Sequence, residues 1–267
     1  MRERVYRSEA VILRRSDFAE ADRLLLIATP AGKRRVIAKG ARKMKSRLAG
    51  HIELFTHAQM MLAVGRQLDI VTQSQIVNTF PALRADLTRL GCGYYVAELY
   101  DRLTVEAEEN PPLFRLLVEA LSSLDRSPLP ELTLRSFELH LLHLLGYRPQ
   151  LHRCVVCDEL LTPAADRYSP ALGGVLCPRD RVADPSALPM SEATFRLLRY
   201  LQAQPVAASE SLRIALATRQ EAAALLRASL RHLLERDLKS AEFLDRLLSS
   251  QFAMMTTQLP TAEEGGP

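Results

Sequence analysis

Tryptophan is absent from this chain, and aromatic residues fill only 6% of its 267 positions, so few rings are on offer for stacking. No uninterrupted apolar run approaches the roughly 20 residues needed to cross a bilayer. The first dozen residues carry Arg2, Glu3, Arg4, Arg7 and Glu9 where a secretory leader would have an apolar segment. The expectation is a cytoplasmic protein with no membrane partner. Catalytic signatures are missing as well: there is no Walker loop, no GxGxxG after a strand, no GxSxG, and no carboxylate pair in a basic setting that would suggest a two-metal nuclease. These absences point away from an enzyme.

One further absence is local. No Asp or Glu occurs from Thr29 to Ile52, while Lys33, Arg34, Arg35, Lys39, Arg42, Lys43, Lys45 and Arg47 crowd the same stretch. Cations held together without counter-charges repel one another, and a polyanion laid against them relieves that repulsion. Thr-Pro-Ala-Gly before Lys33 reads as a tight turn, Val36-Ile37-Ala38 as a short strand, and Gly40 as the start of a loop. The charges therefore fall on a strand and the loop after it. Lys33, Arg35, Lys39, Arg42, Lys43, Lys45 and Arg47 are the candidate nucleic-acid contacts, with Arg34 facing the other side of its strand. The plain alternative is a solvated loop that keeps the protein soluble. Phe18 and Phe55 are the nearest aromatics, so base stacking is expected to be minor.

Hydrophobic content of 48% and charged content of 25% are ordinary for a globular chain long enough for two or three modules. Its net charge of +4 is unevenly spread: residues 1–80 hold fifteen Lys and Arg against seven Asp and Glu, and the remainder is mildly acidic. Residues 5–77 read as five short strands, Val5–Arg15, Arg23–Thr29, Arg34–Lys39, Gln59–Val64 and Asp69–Val77. Five strands without an intervening helix suggest a small OB-fold barrel, with an SH3-like barrel as the alternative. After Pro81 the period changes to that of helices. One is expected over about Leu83–Leu103, and another follows the Asn110 cap and Pro111, with Leu113, Leu116, Leu117, Ala120, Leu121 and Leu124 on one stripe. Leu134, Phe137, Leu141 and Leu144 mark a third, and later helices are expected over Ser191–Gln202, Arg219–Glu235 and Ser240–Ser250. The expected class is α+β: an OB-fold over 1–80, a helical domain over 81–150 and 186–252, a zinc-finger-like insertion over 151–185, and a disordered tail over 253–267.

Three of the four cysteines interrupt the helices as Cys154-Val-Val-Cys157, nineteen residues, then Cys177-Pro-Arg-Asp180. Two knuckles at this spacing can aim four side chains at one tetrahedral ion. Asp180 stands where a fourth cysteine would be, and zinc accepts carboxylate oxygen. Cys154, Cys157, Cys177 and Asp180 are therefore the candidate ligands of a structural zinc, with His152 as an alternative fourth. Loss of the metal, with the hairpin kept by packing of Tyr168, Leu172, Val175 and Leu176, is the other reading. Cys92 reads as a small buried side chain, and the pair His140 and His143 lacks a third ligand.

Four phrases resemble a known family. Lys39-Gly-Ala-Arg-Lys-Met-Lys-Ser-Arg-Leu48, Leu145-Gly-Tyr-Arg-Pro149, Gly173-Gly-Val-Leu-Cys177 and Leu238-Lys-Ser-Ala-Glu-Phe-Leu244 together, and in this order, are similar to the bacterial DNA repair family RecO. The resemblance covers nearly everything except the tail. It implies a recombination mediator with an N-terminal OB-fold, a helical middle and an embedded zinc finger, acting near the nucleoid. Members of that family bind single- and double-stranded DNA, anneal complementary strands, bind the acidic tail of single-strand-binding protein, and act with RecR to load RecA. Asp180 departs from the four-cysteine pattern of many zinc-bearing members. Three other classes remain open beside this one: a non-enzymatic adaptor whose barrel holds an acidic protein tail, an RNA-associated OB and zinc-knuckle protein, and a metal-dependent nuclease.

Overall fold

The computed structural model describes residues 4–165, 167–235 and 238–247; the expected tail lies outside them. Strands β1 (Val5–Phe18), β2 (Asp22–Thr29), β3 (Gly32–Ala38), β4 (His57–Ala63) and β5 (Asp69–Asn78) hydrogen-bond in the cyclic order β1-β2-β3-β5-β4 and close a barrel. This is the five-stranded OB-fold that the pattern of short strands implied. Strand β1 has four successive buried residues because both of its faces are covered. Ala10 and Ile12 point into the barrel with Leu25, Ile27, Val36 and Met60, whereas Val11 and Leu13 join Leu26 and Ala28 in a second core shared with the helices. The β1–β2 wall is thereby fixed against the helical domain.

Closure between β3 and β5 is slight, resting on the parallel pairs Val36↔Asp69 and Ile37↔Ile70. The open first half of β3 is covered by the linker after the second helix. Ala107 N–H donates to Lys33 O at 2.9 Å and Asn110 N–H to Pro30 O at 3.2 Å. Gly32, at φ +95°, permits this approach, since a Cβ there would lie 2.5 Å from the Glu108 carbonyl oxygen.

The helices are α1 (Pro81–Ala85), α2 (Leu87–Leu103), α3 (Pro111–Arg126), α4 (Pro130–Leu144), α5 (Glu192–Ala203) and α6 (Leu216–Leu234), and residues 239–247 are also helical. The single helix expected over Leu83–Leu103 is broken. Asp86 adopts extended geometry (φ −110°, ψ 127°) and its side chain accepts from Arg89 N–H, so α2 starts afresh from a cap. Asn110 caps α3 by accepting from Leu113 N–H at 3.1 Å, with Pro111 at the first position. Helix α6 begins three residues ahead of the expected Arg219. Cys92 is fully buried, and the glycine after it lets Phe55 approach α2: a Cβ at Gly93 would sit 3.1 Å from that ring.

A small sheet, β7 (Gly174–Leu176), β6 (Arg167–Ser169) and β8 (Leu188–Pro189) in that order, carries the knuckles. It shares a core with the helices rather than hanging from them. Leu151, Tyr168, Val175 and Leu176 pack with Leu132 and Leu139 of α4, Phe195 and Leu198 of α5 and Leu225 of α6. At roughly 1.5–3 kcal/mol for each fully buried large apolar side chain, this packing seats the hairpin against the helices; Leu172, expected to share in it, is instead 45% exposed.

Candidate nucleic-acid interface and metal centre

The basic loop after β3 is pinned at three points. Gly40 N–H donates to Asp22 Oδ1 at 2.7 Å, Arg42 N–H donates to Ala21 O at 2.9 Å, and Ala41 is buried. Leu48 packs against the barrel core at the far end. Along this stretch Lys39, Lys43, Lys45 and Arg47 are exposed, and among the described residues no carboxylate lies within ion-pair reach of any of them. Arg42 is exposed but engaged, donating to Glu20 O at 3.2 Å and pairing with Asp17 at 3.4 Å. Phe18, at the neighbouring end of β1, is 42% exposed, whereas Phe55 is fully buried and cannot stack on a ligand.

Lys33 and Arg35 part company with the loop. The Lys33 side chain is turned into the contact between β3 and α2, where its ammonium donates to Asp101 O at 2.5 Å, Asp101 Oδ1 at 2.7 Å and Thr104 O at 3.0 Å. With all three donors used and 7% of the residue exposed, Lys33 has nothing left for an external phosphate. It is a lock between two domains rather than the surface cation that the sequence implied. Arg35 is exposed but pairs with Glu106 at 3.0 Å. Arg34, on the opposite side of the strand, bears on the Tyr6 hydroxyl. Sequence reasoning missed this acidic strap, Asp101 to Glu109, because its partners are some 70 residues away.

In the knuckles, the four candidate ligand atoms all lie within 4.8 Å of one another. Asp180 Oδ2 is 3.2 Å from Cys154 Sγ and 3.1 Å from Cys177 Sγ, and Cys157 Sγ is 3.8 Å from Cys177 Sγ. A tetrahedron with Zn–S bonds of about 2.3 Å has S···S edges of about 3.8 Å, so the three-sulfur, one-oxygen set fits zinc in composition and in size. Burial opposes the Cys154 thiolate, but N–H groups of Cys157, Cys177 and Val156 aimed at its sulfur outweigh that and hold the thiol below its usual value. His152 is not a ligand in this arrangement; its Nδ1 accepts from Arg199 at 2.9 Å. His140 bonds the Gln204 carbonyl at 2.8 Å, consistent with a structural role.

One feature had only a faint trace in the sequence. Between α4, α6 and residues 239–247 runs a groove of about 680 Å³, with Leu132, Leu134 and Leu216 in its lining together with Arg135, Arg219, Arg227 and Arg231. Arg135 pairs with the fully buried Glu138 at 2.6 Å, Arg219 with Glu131, and Arg227 with Asp245. Arg135 Nε and Arg219 Nε are nonetheless buried without an acceptor. Arginines 227 and 231 recur at helical spacing after 219, which was the available signal.

By fold and site, the chain is an OB-barrel protein with a cation-rich loop, joined to a helical domain that encloses a metal-competent cysteine knuckle. The model for the N-terminal part of recombination protein O matches residues 1–80, and that for its C-terminal part matches residues 84–242. The DNA repair protein RecO of Roseiflexus sp. (strain RS-1) is 58% identical over 245 residues, covering 92% of this chain and 87% of that protein. Those of Desulforudis audaxviator and Dehalococcoides mccartyi (strain ATCC BAA-2266 / KCTC 15142 / 195) are 40% and 35% identical, each over 91% of this chain and at least 96% of their own length. The chain belongs to the RecO family of DNA repair proteins. No described helix is long and apolar enough to cross a membrane.

Proposed function

We propose that the protein is a non-enzymatic recombination mediator of the cytoplasm and nucleoid. It binds single- and double-stranded DNA on the barrel, anneals complementary strands, and with RecR helps load RecA on strands covered by single-strand-binding protein. The observation that carries this reading is the pinned loop whose Lys39, Lys43, Lys45 and Arg47 have no carboxylate partner among the described residues. Such cations neutralise phosphates and release condensed counterions, giving sequence-tolerant, salt-sensitive binding. Two strands screened on one positive surface repel each other less and find their register without a catalytic group.

Zinc would be held by Cys154, Cys157, Cys177 and Asp180. Bound there it supplies rigidity, fixing the two knuckles relative to one another. With three sulfurs and one carboxylate already committed, the set leaves no open position for chemistry. The arginine groove suits the acidic tail of single-strand-binding protein, because the exposed Arg231 beside its apolar lining can meet a carboxylate.

The test is a salt titration of a labelled single strand against the wild type and a variant with Lys39, Lys43, Lys45 and Arg47 replaced by Ala. At about 0.7 per phosphate contact, the salt slope is expected to fall by about 2.8, and affinity at about 0.1 M salt by roughly 600-fold. A folded variant with unchanged affinity and slope overturns the reading and favours an adaptor.

A further inference from the structure

A second cationic feature stands on the helical domain beside the knuckle. Arg148 follows the Gly146 turn that ends α4, and Arg199 lies on α5. Both are held by neutral groups. Arg199 donates to His152 Nδ1 at 2.9 Å and lies over the Phe195 ring, 5.2 Å from its centre. Arg148 donates to Gln202 Oε1 at 3.2 Å, and Gln202, one turn beyond Arg199, is itself fixed by donating to Pro149 O at 2.8 Å. Among the described residues, neither guanidinium has a carboxylate in ion-pair reach. Neighbouring arginines do: Arg153 pairs with Asp158, Arg196 with Glu192 and Arg179 with Glu159.

Two like charges oriented by uncharged partners repel each other, and a bound anion relieves that cost. Beside Arg148 stands an exposed ring, Tyr147 at 58%, and the two line one groove of about 730 Å³. We infer that Arg148 and Arg199 form a second phosphate-binding site, which takes a second single strand of nucleic acid. Each guanidinium meets a phosphate, and the Tyr147 ring is open to a base. An acidic peptide would satisfy the arginines but give the Tyr147 ring nothing planar to stack on, so charge beside an exposed ring favours nucleic acid. The inference rests on the strand-annealing reading and gives it a second strand's seat, away from the barrel loop.

The experiment uses two oligothymidine strands that cannot pair, one carrying a fluorescent donor and one an acceptor, with the full-length protein. Energy transfer reports two strands held together, and anisotropy of one strand at low occupancy reports the first site. For the double variant Arg148→Gln, Arg199→Gln, first-strand affinity is expected to stay within about twofold. Energy transfer should require at least tenfold more strand, and its salt slope should fall by about 1.4, or about 0.7 for each lost contact. The charge-conserving double variant Arg148→Lys, Arg199→Lys should keep most of the transfer, which separates charge from folding. Unchanged transfer in the folded Gln variant, or an equal loss at both sites, overturns the second seat. A wild type that binds one strand without transfer overturns it too while sparing the barrel reading; one that binds no strand overturns both. Should oligoglutamate abolish transfer at lower concentration than oligothymidine, the site belongs to an acidic protein segment and the nucleic-acid assignment fails.

Discussion

Replacing Lys33 with Met separates the lock from the loop. Methionine keeps the length of the carbon stem but removes an ammonium that bonds Asp101 O, Asp101 Oδ1 and Thr104 O at 2.5–3.0 Å. A hydrogen bond to a charged group contributes about 1.5–3 kcal/mol. The three cannot be summed, because the Asp101 side chain is 27% exposed and water will reach part of what is left. A net loss of roughly 2–4 kcal/mol is expected, since the orphaned acceptors remain half-buried between β3 and α2. For a chain of this size that lowers the melting temperature by roughly 5–15 °C. The assay is a thermal melt followed by a salt titration of single-strand binding at a temperature where the variant is folded. The slope should equal that of the wild type, because Lys33 offers no donor to a phosphate. A variant that melts normally but loses about 0.7 of slope would refute this reasoning and return Lys33 to the binding surface.

Further outcomes follow from the same geometry. Glu106→Gln releases Arg35 from its 3.0 Å ion pair, so single-strand affinity at about 0.1 M salt should rise roughly fivefold, with about 0.7 added to the slope; no change in binding would show that Arg35 faces away from the ligand. Asp180→Cys should slow zinc release to a colorimetric chelator and Asp180→Ala should speed it, whereas equal rates in all three proteins would remove Asp180 from the ligand set. Glu221 accepts from Ser191 N–H at 2.7 Å and from the Ser191 and Thr194 hydroxyls at 2.5 Å, tying the start of α5 to α6. Burial opposes its charge, but these donors prevail and hold the carboxyl below its ordinary value. Its contribution is therefore complete above the unfolded-state pKa and lost as pH falls through the lower folded one. Glu221→Gln should cost about 1–2 kcal/mol at pH 7 in urea unfolding, with the gap to the wild type closing in acid; a gap that stays constant with pH would contradict the assignment.

The barrel was legible because its strands are short, alternate, and end in turn residues such as Pro30-Ala31-Gly32, all of which are local signals. The same holds for α3, whose start is written in Asn110 and Pro111. The break at Asp86 was hidden because an apolar helical period runs across it, and only the cap on Arg89 N–H reveals the new start. Within the candidate site, the sequence marked Lys39, Lys43, Lys45 and Arg47, and the structure leaves those four exposed and, among the described residues, without a carboxylate. It also marked Lys33 and Arg35, since a count of bases in a run cannot show which of them meet an acid from elsewhere.

The amino-acid order by itself determined the strand and helix periods, the surplus of charge at one end, and the spacing of three cysteines and an aspartate. The periods and the cysteine–aspartate spacing are relations between residues close in the chain, and the charge surplus is a simple count along it. Tertiary structure decided which cations remain free, that Asp180 rather than His152 joins the three sulfurs, and that arginines of α4 and α6 line one groove. The physical reason is that a charge is available only if no counter-charge reaches it, and Asp101 reaches Lys33 from 68 positions away.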